Sequence, residues 1–91
     1  MTITKELTLV NKYGMHVRPA GALAKACQKY SCDVTVANGG ASVSGKSVLG
    51  LMTLEAPVGT VLTVTAAGDD ADLAMAEIEE LVLNHFGIAD E

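Results

Sequence analysis

Large rings are scarce in this chain: it has no tryptophan, one phenylalanine and two tyrosines. That excludes a core or a base-stacking surface built on aromatics, so the interior must be aliphatic, made of Leu, Val, Ile, Met and Ala. Cysteine is also sparse. Cys27 and Cys32 form no CxxC pair and have no His/Cys companions at zinc spacing, which excludes a zinc ribbon or a disulfide scaffold. Two small buried thiols are the expectation, with a disulfide or redox pair as the alternative. No apolar run approaches membrane-spanning length. The opening "MTITKELTLV" alternates polar with apolar and lacks the apolar centre of a secretory signal. A cytoplasmic address follows as the default.

Cations of either kind are missing beyond Lys46. The six basic residues, Lys5, Lys12, Arg18, Lys25, Lys29 and Lys46, are opposed in their half only by Glu6 and Asp33, leaving residues 1–46 at +4. Residues 47–91 hold nine acids, for −9, and the net charge is −5. Neither half carries a cationic cluster interleaved with aromatics, so nucleic acid is excluded as a partner. A basic surface that docks acidic proteins fits better. With 91 residues, one domain spanning 1–91 and acting as a monomer is expected. A chain of this size buries roughly 60–65% of its unfolded surface.

What is present reads as alternating elements. "ITKELTLV" places Ile3, Lys5, Leu7 and Leu9 on one side of a strand and Thr4, Glu6 and Thr8 on the other. A first helix starts between His16 and Pro19, because proline is tolerated only in a first turn. Its buried stripe is Ala20, Leu23, Ala24 and Cys27. Asp33 to Val36 and Ala41 to Ser44 read as strands around an "NGG" turn. A short helix from about Ser47 to Leu54 stops before Pro57. "TVLTVTA" is a fourth strand with Leu62, Val64 and Ala66 facing in. "GDDAD" opens a third helix whose buried stripe is Ala71, Ala74, Met75, Ile78, Leu81 and Val82, with Gly87 as its cap. The order β-α-β-β-α-β-α predicts an α+β open-faced sandwich: a four-stranded, mainly antiparallel sheet covered on one face by three helices.

Two stretches could carry chemistry. "GASVSGKS", Gly40 to Ser47, matches the phosphate-loop pattern G-x-x-x-x-G-K-[ST] at every fixed position. Its context disagrees. A phosphate loop joins a buried parallel strand to a full helix, whereas "ASVS" alternates like an edge strand and the helix after it is short. No later strand ends in an Asp suited to Mg²⁺.

The other stretch is "GMHVRPAG", Gly14 to Gly21. His16 precedes a helix, where backbone N–H groups lack partners and the dipole favours an anion. The same dipole opposes an imidazolium, which leaves a ring nitrogen lone pair to attack phosphorus. Arg18 can add a planar guanidinium fork, and Pro19 stiffens the turn. A covalent phosphohistidine is chemically sensible here. A capping histidine beside an ordinary surface arginine is the plain structural alternative.

"GMHVRPA" resembles the active-site motif of the HPr family, the small phosphocarriers of the phosphoenolpyruvate-dependent phosphotransferase system. "KSVLGLMTL", Lys46 to Leu54, is similar to that family's serine signature, with Ser47 as the serine. The likeness extends over essentially the whole chain, including "GTVLTVTAAG". It implies that His16 accepts a phosphoryl group on Nδ1 from enzyme I, with Arg18 stabilising it, and passes it to IIA-type domains. It also implies regulatory phosphorylation at Ser47 by an HPr kinase/phosphorylase. No cofactor or metal is implied. The family has a sugar-transport branch and a nitrogen-related branch: "NKYGMH" and "FGIADE" look like the second, "KSVLGLMTL" like the first. A purely regulatory binding module is the alternative to a carrier.

The short helix has more apolar residues than one face can bury. With Leu51 and Leu54 inward, Val48, Leu49 and Met52 are expected outside, in a docking patch ringed by Arg18, Lys25 and Lys46. Ser47 is a candidate N-cap of that helix. His85 is expected to favour the dipole in the last turn of the third helix, and Glu77, Glu79 and Glu80 to form a solvated face. Because the phosphate-loop match is read as coincidental, titration of the chain with ATP should show no micromolar binding.

Overall fold

The computed structural model describes residues 1–90. Seven elements follow the expected order: β1 (Thr2–Thr8), α1 (Val17–Gln28), β2 (Asp33–Asn38), β3 (Ala41–Ser44), α2 (Val48–Met52), β4 (Val61–Ala67) and α3 (Ala71–Leu83). A 3₁₀ turn, His85–Gly87, follows α3. The strands lie in the order β1-β4-β2-β3, and all three pairings are antiparallel.

Period-two alternation decides which side of the sheet is covered. Leu7, Val34, Val36, Leu62, Val64 and Ala66 are all buried, and they pack with Ala20, Leu23, Ala24 and Cys27 of α1 and with Ala71, Ala74, Met75 and Ile78 of α3. The opposite side carries hydroxyls: Thr4, Thr65, Thr35 and Ser44 stand opposite one another across all four strands. The Thr4 and Thr65 hydroxyls are 3.1 Å apart. A face of this kind can stay wet, so three helices on one side are enough.

The phosphate-loop match dissolves in this topology. Ala41–Ser44 is the edge strand β3, paired antiparallel with β2, and α2 has five residues. Gly45 is required for packing: a Cβ there would lie 2.6 Å from Val34 Cγ1 and 3.3 Å from Cys27 Sγ. Cys27 and Cys32 are both buried and unbridged, as expected. Burial, then the neighbouring Cys32, pushes the Cys27 thiol up to about 12, which makes it inert.

Three expectations need correction. The helix α2 is shorter than Ser47–Leu54, beginning at Val48 with Ser47 as its N-cap. The third helix ends at Leu83, so His85 and Gly87 belong to the turn beyond it. There His85 and Phe86 both take positive φ, +54° and +57°, a costly backbone for non-glycine residues. The turn folds the chain back so that Phe86, the one phenylalanine, is buried. Leu81 is only partly buried against the core.

The acidic face of α3 is also not simply solvated. Glu77 pairs with Lys29 and accepts the Tyr30 hydroxyl at 2.5 Å, and Glu79 pairs with Lys5 at 3.0 Å. Asp70, before α3, accepts the backbone N–H groups of Ser31 and Cys32, each at 2.9 Å. These clasps tie the α1–β2 turn to α3. The Ser31 N–H, foremost, holds the Asp70 carboxyl below its usual range, and Lys29, then Tyr30, does the same for Glu77. A carboxylate with a depressed folded-state pKa adds stability above its unfolded pKa and loses it as the pH falls through the folded value. Asp70→Asn should therefore melt below the parent near neutral pH. The gap should narrow as the pH falls to about 3, as read by thermal melts at the two pH values.

Candidate functional site

The loop before α1 is shaped by backbone contacts. Gly14 takes φ +67°, and a Cβ there would collide with the Ala56 carbonyl oxygen and lie 2.7 Å from Pro57 Cα. Met15 donates its N–H to that same Ala56 oxygen at 2.8 Å and buries its side chain. Asn11 is fully buried and donates from Nδ2 to the Gly14 carbonyl at 2.7 Å. Between them these contacts press residues 11–15 against the segment joining α2 to β4.

His16 emerges half-buried from this loop as the N-cap residue of α1, in extended backbone. Its imidazole makes no capping hydrogen bond, which contradicts the plain capping alternative. The first helical bond runs from the Ala20 N–H to the His16 carbonyl at 2.9 Å. Pro19 has no N–H, so the amides at the mouth of the helix are those of Val17 and Arg18. The Tyr13 ring meets the His16 ring edge to face, with centroids 6.2 Å apart and planes at 81°. Arg18 is exposed, and its Nη2 lies 3.4 Å from Asp90 Oδ1 in a solvated ion pair. Such a pair is weak and easily exchanged.

Ser47 caps α2 as anticipated, its Oγ accepting the Gly50 N–H at 3.0 Å. Leu51 and Leu54 are buried. Leu49 is 77% exposed and Met52 38%, while Val48 is half-buried against the core. Lys25 is exposed on α1. Lys46 behaves differently from a surface cation: its Nζ donates to the Tyr30 carbonyl at 2.8 Å, and its own carbonyl accepts Gln28 Nε2 at 2.9 Å. These bonds seat α2 along α1.

Sequence reasoning singled out His16, Arg18 and Ser47 but missed Asn11, Tyr13 and Ala56. Asn11 and Tyr13 lie close before His16, and an asparagine three residues ahead of a turn glycine was a usable signal. Ala56 had none, because it acts through its carbonyl.

A helix mouth, a histidine at its cap position and an arginine fork two residues further on make a small surface site suited to carrying an anion. This is the architecture of a phosphocarrier. A family model described as the HPr component phosphorylation site of the phosphotransferase system matches residues 3–84. Phosphocarrier protein HPr of Borreliella burgdorferi is 40% identical over 88% of this chain and 93% of its own. Phosphocarrier protein NPr of Shewanella violacea is 36% identical over 88% of each. The crystal structure of an HPr from Thermoanaerobacter tengcongensis superposes with a TM-score of 0.90 at 30% identity, covering 94% of this chain and 97% of the other. The chain belongs to the HPr family: it is a phosphocarrier of the phosphotransferase system and not an enzyme. Among the described residues, no helix is long and apolar enough to cross a membrane.

The Gly14 contact generates a direct test. Gly14→Ala combines a positive φ with a backbone collision, and should cost about 2–4 kcal/mol of stability in a denaturant titration.

Proposed function

We propose that His16 is the phosphoryl acceptor of this carrier. The observation that carries the reading is the place of His16 as the N-cap residue of α1, in extended backbone beside the Val17 and Arg18 amides. A ring nitrogen, Nδ1 by family likeness, would attack phosphorus while the bond to the donor's leaving group breaks and Nε2 keeps its hydrogen. The phosphoryl oxygens would then lie near the helix amides, where the dipole favours their charge. Arg18 would exchange its weak contact with Asp90 for the phosphoryl group, which offers a bidentate partner of higher charge.

By the family's chemistry the donor is enzyme I and the acceptors are IIA-type domains. Leu49 and Met52, exposed on α2, together with Lys25, would form the docking patch, with Val48 at its margin. Lys46, held on the Tyr30 carbonyl, would add only long-range attraction. The carrier would act as one copy, in the cytoplasm.

Ser47 would be the regulatory position, acted on by an HPr kinase/phosphorylase. A phosphate there brings about −1.5 to −2 charges. An ester oxygen could still accept the Gly50 N–H, so the backbone would stay as it is. Docking would suffer, because the dianion must lose water when a partner covers Leu49 and Met52, and it would repel acidic partner groups.

One labelling experiment tests the scheme. With phosphoenolpyruvate and enzyme I, the parent should gain an acid-labile, base-stable phosphate that moves on to a IIA acceptor. His16→Ala should gain none and stay folded. Arg18→Lys should transfer more slowly in both directions, because it keeps the charge and loses the fork. Ser47→Asp should slow labelling without lowering the melting temperature. A labelled His16→Ala variant would overturn the assignment, and an unlabelled parent would overturn the carrier reading in favour of a purely regulatory module.

A further inference from the structure

Tyr13 is 61% exposed, whereas Met15, two residues on in the same loop, is buried. An aromatic ring left this far in water is not there to fill the core. It has instead two specific contacts. Its ring meets His16 edge to face, with centroids 6.2 Å apart and planes at 81°. This lies inside the range, roughly 4.5–7 Å, that favourable aromatic pairs occupy. The Lys12 ammonium sits 5.2 Å from the centroid of the same ring, within cation–π range.

The backbone explains how Tyr13 can reach His16. Gly14 at φ +67° reverses the chain locally, and the bond from the Met15 N–H to the Ala56 carbonyl turns that residue inward. Residues 13 and 16 are thereby left on the outer side of the turn with their rings together. A histidine presents two different nitrogens, and rotation about its side-chain bonds decides which of them faces the helix mouth. A neighbouring ring that favours one edge-to-face arrangement biases that choice.

We infer that Tyr13 is a positioning residue for His16, holding the imidazole in the orientation from which it reacts, with Lys12 steadying the tyrosine. This rests on the reading of His16 as the phosphoryl acceptor. Tyr13 need touch neither the phosphoryl group nor a partner to act in this way.

The test uses phosphoramidate, a small donor that needs no partner protein. A His16 nitrogen attacks its phosphorus, the P–N bond breaks, and ammonia leaves with a proton taken from water. A role of Tyr13 confined to docking would not register with this donor. Tyr13→Leu keeps bulk and removes the ring, and should slow phosphorylation of His16 about three- to tenfold, the scale of a lost orientational restraint. Tyr13→Phe should restore the parent rate. In NMR spectra, the His16 ring protons should carry a ring-current shift in the parent and the Phe variant and lose it in the Leu variant. All three proteins should melt together, because the residue is exposed. A Leu variant that reacts at the parent rate overturns the inference, whether or not the ring-current shift is lost. If phosphoramidate shows the expected pattern while enzyme I fails to label the parent, the enzyme I reading falls and the positioning role stands.

Discussion

Gly14 passes so close to the Ala56–Pro57 backbone that no side chain fits between them. This contact, with the Met15 N–H bonded to the Ala56 carbonyl, fixes where the loop ends and therefore where α1 begins. His16 can stand at the helix mouth only because the preceding residues are pinned from behind. The buried Asn11 amide braces the same turn from within. His16 is thus half-buried at the surface, while the groups that place its loop are backbone and interior.

The remaining contacts distribute charge in a way the chain halves only hinted at. The basic half and the acidic half are joined by Lys5–Glu79, Lys29–Glu77 and Arg18–Asp90. Each pair links a cation of residues 1–46 to an acid of residues 47–91. Lys46 closes on the Tyr30 carbonyl, and Lys12 lies over the Tyr13 ring. Much of the basic charge that composition assigned to partners is therefore engaged within the fold. These surface pairs add little each to stability. The Arg18–Asp90 pair brings the chain's C-terminal segment beside the histidine loop.

Much was legible in the sequence. Period-two runs such as "TVLTVTA" and the helical stripe of Ala20, Leu23, Ala24 and Cys27 announced both the elements and their inner faces, because burial of a repeating face is a local property of the pattern. The order of the elements then allowed few sheets. Pro19 marked the start of α1, and the motif around His16 pointed to the family. The glycine and lysine of "GASVSGKS" misled only as a pattern; their alternating neighbours already argued for a strand.

Other features were decided only when distant segments met. The helix α3 stops at Leu83 because the chain turns back to bury Phe86, and that gain outweighs two positive φ angles that no local preference would select. Glu77 and Glu79 look like a solvated face until Lys29, Tyr30 and Lys5 arrive from other elements. Ala56 matters through its carbonyl, which its side chain cannot announce. Sequence by itself determined the elements, their inner faces and the motif around His16, since these follow from residue type and spacing. Tertiary structure decided what holds that histidine, because a backbone contact between positions 14 and 56 exists only after the chain has closed on itself.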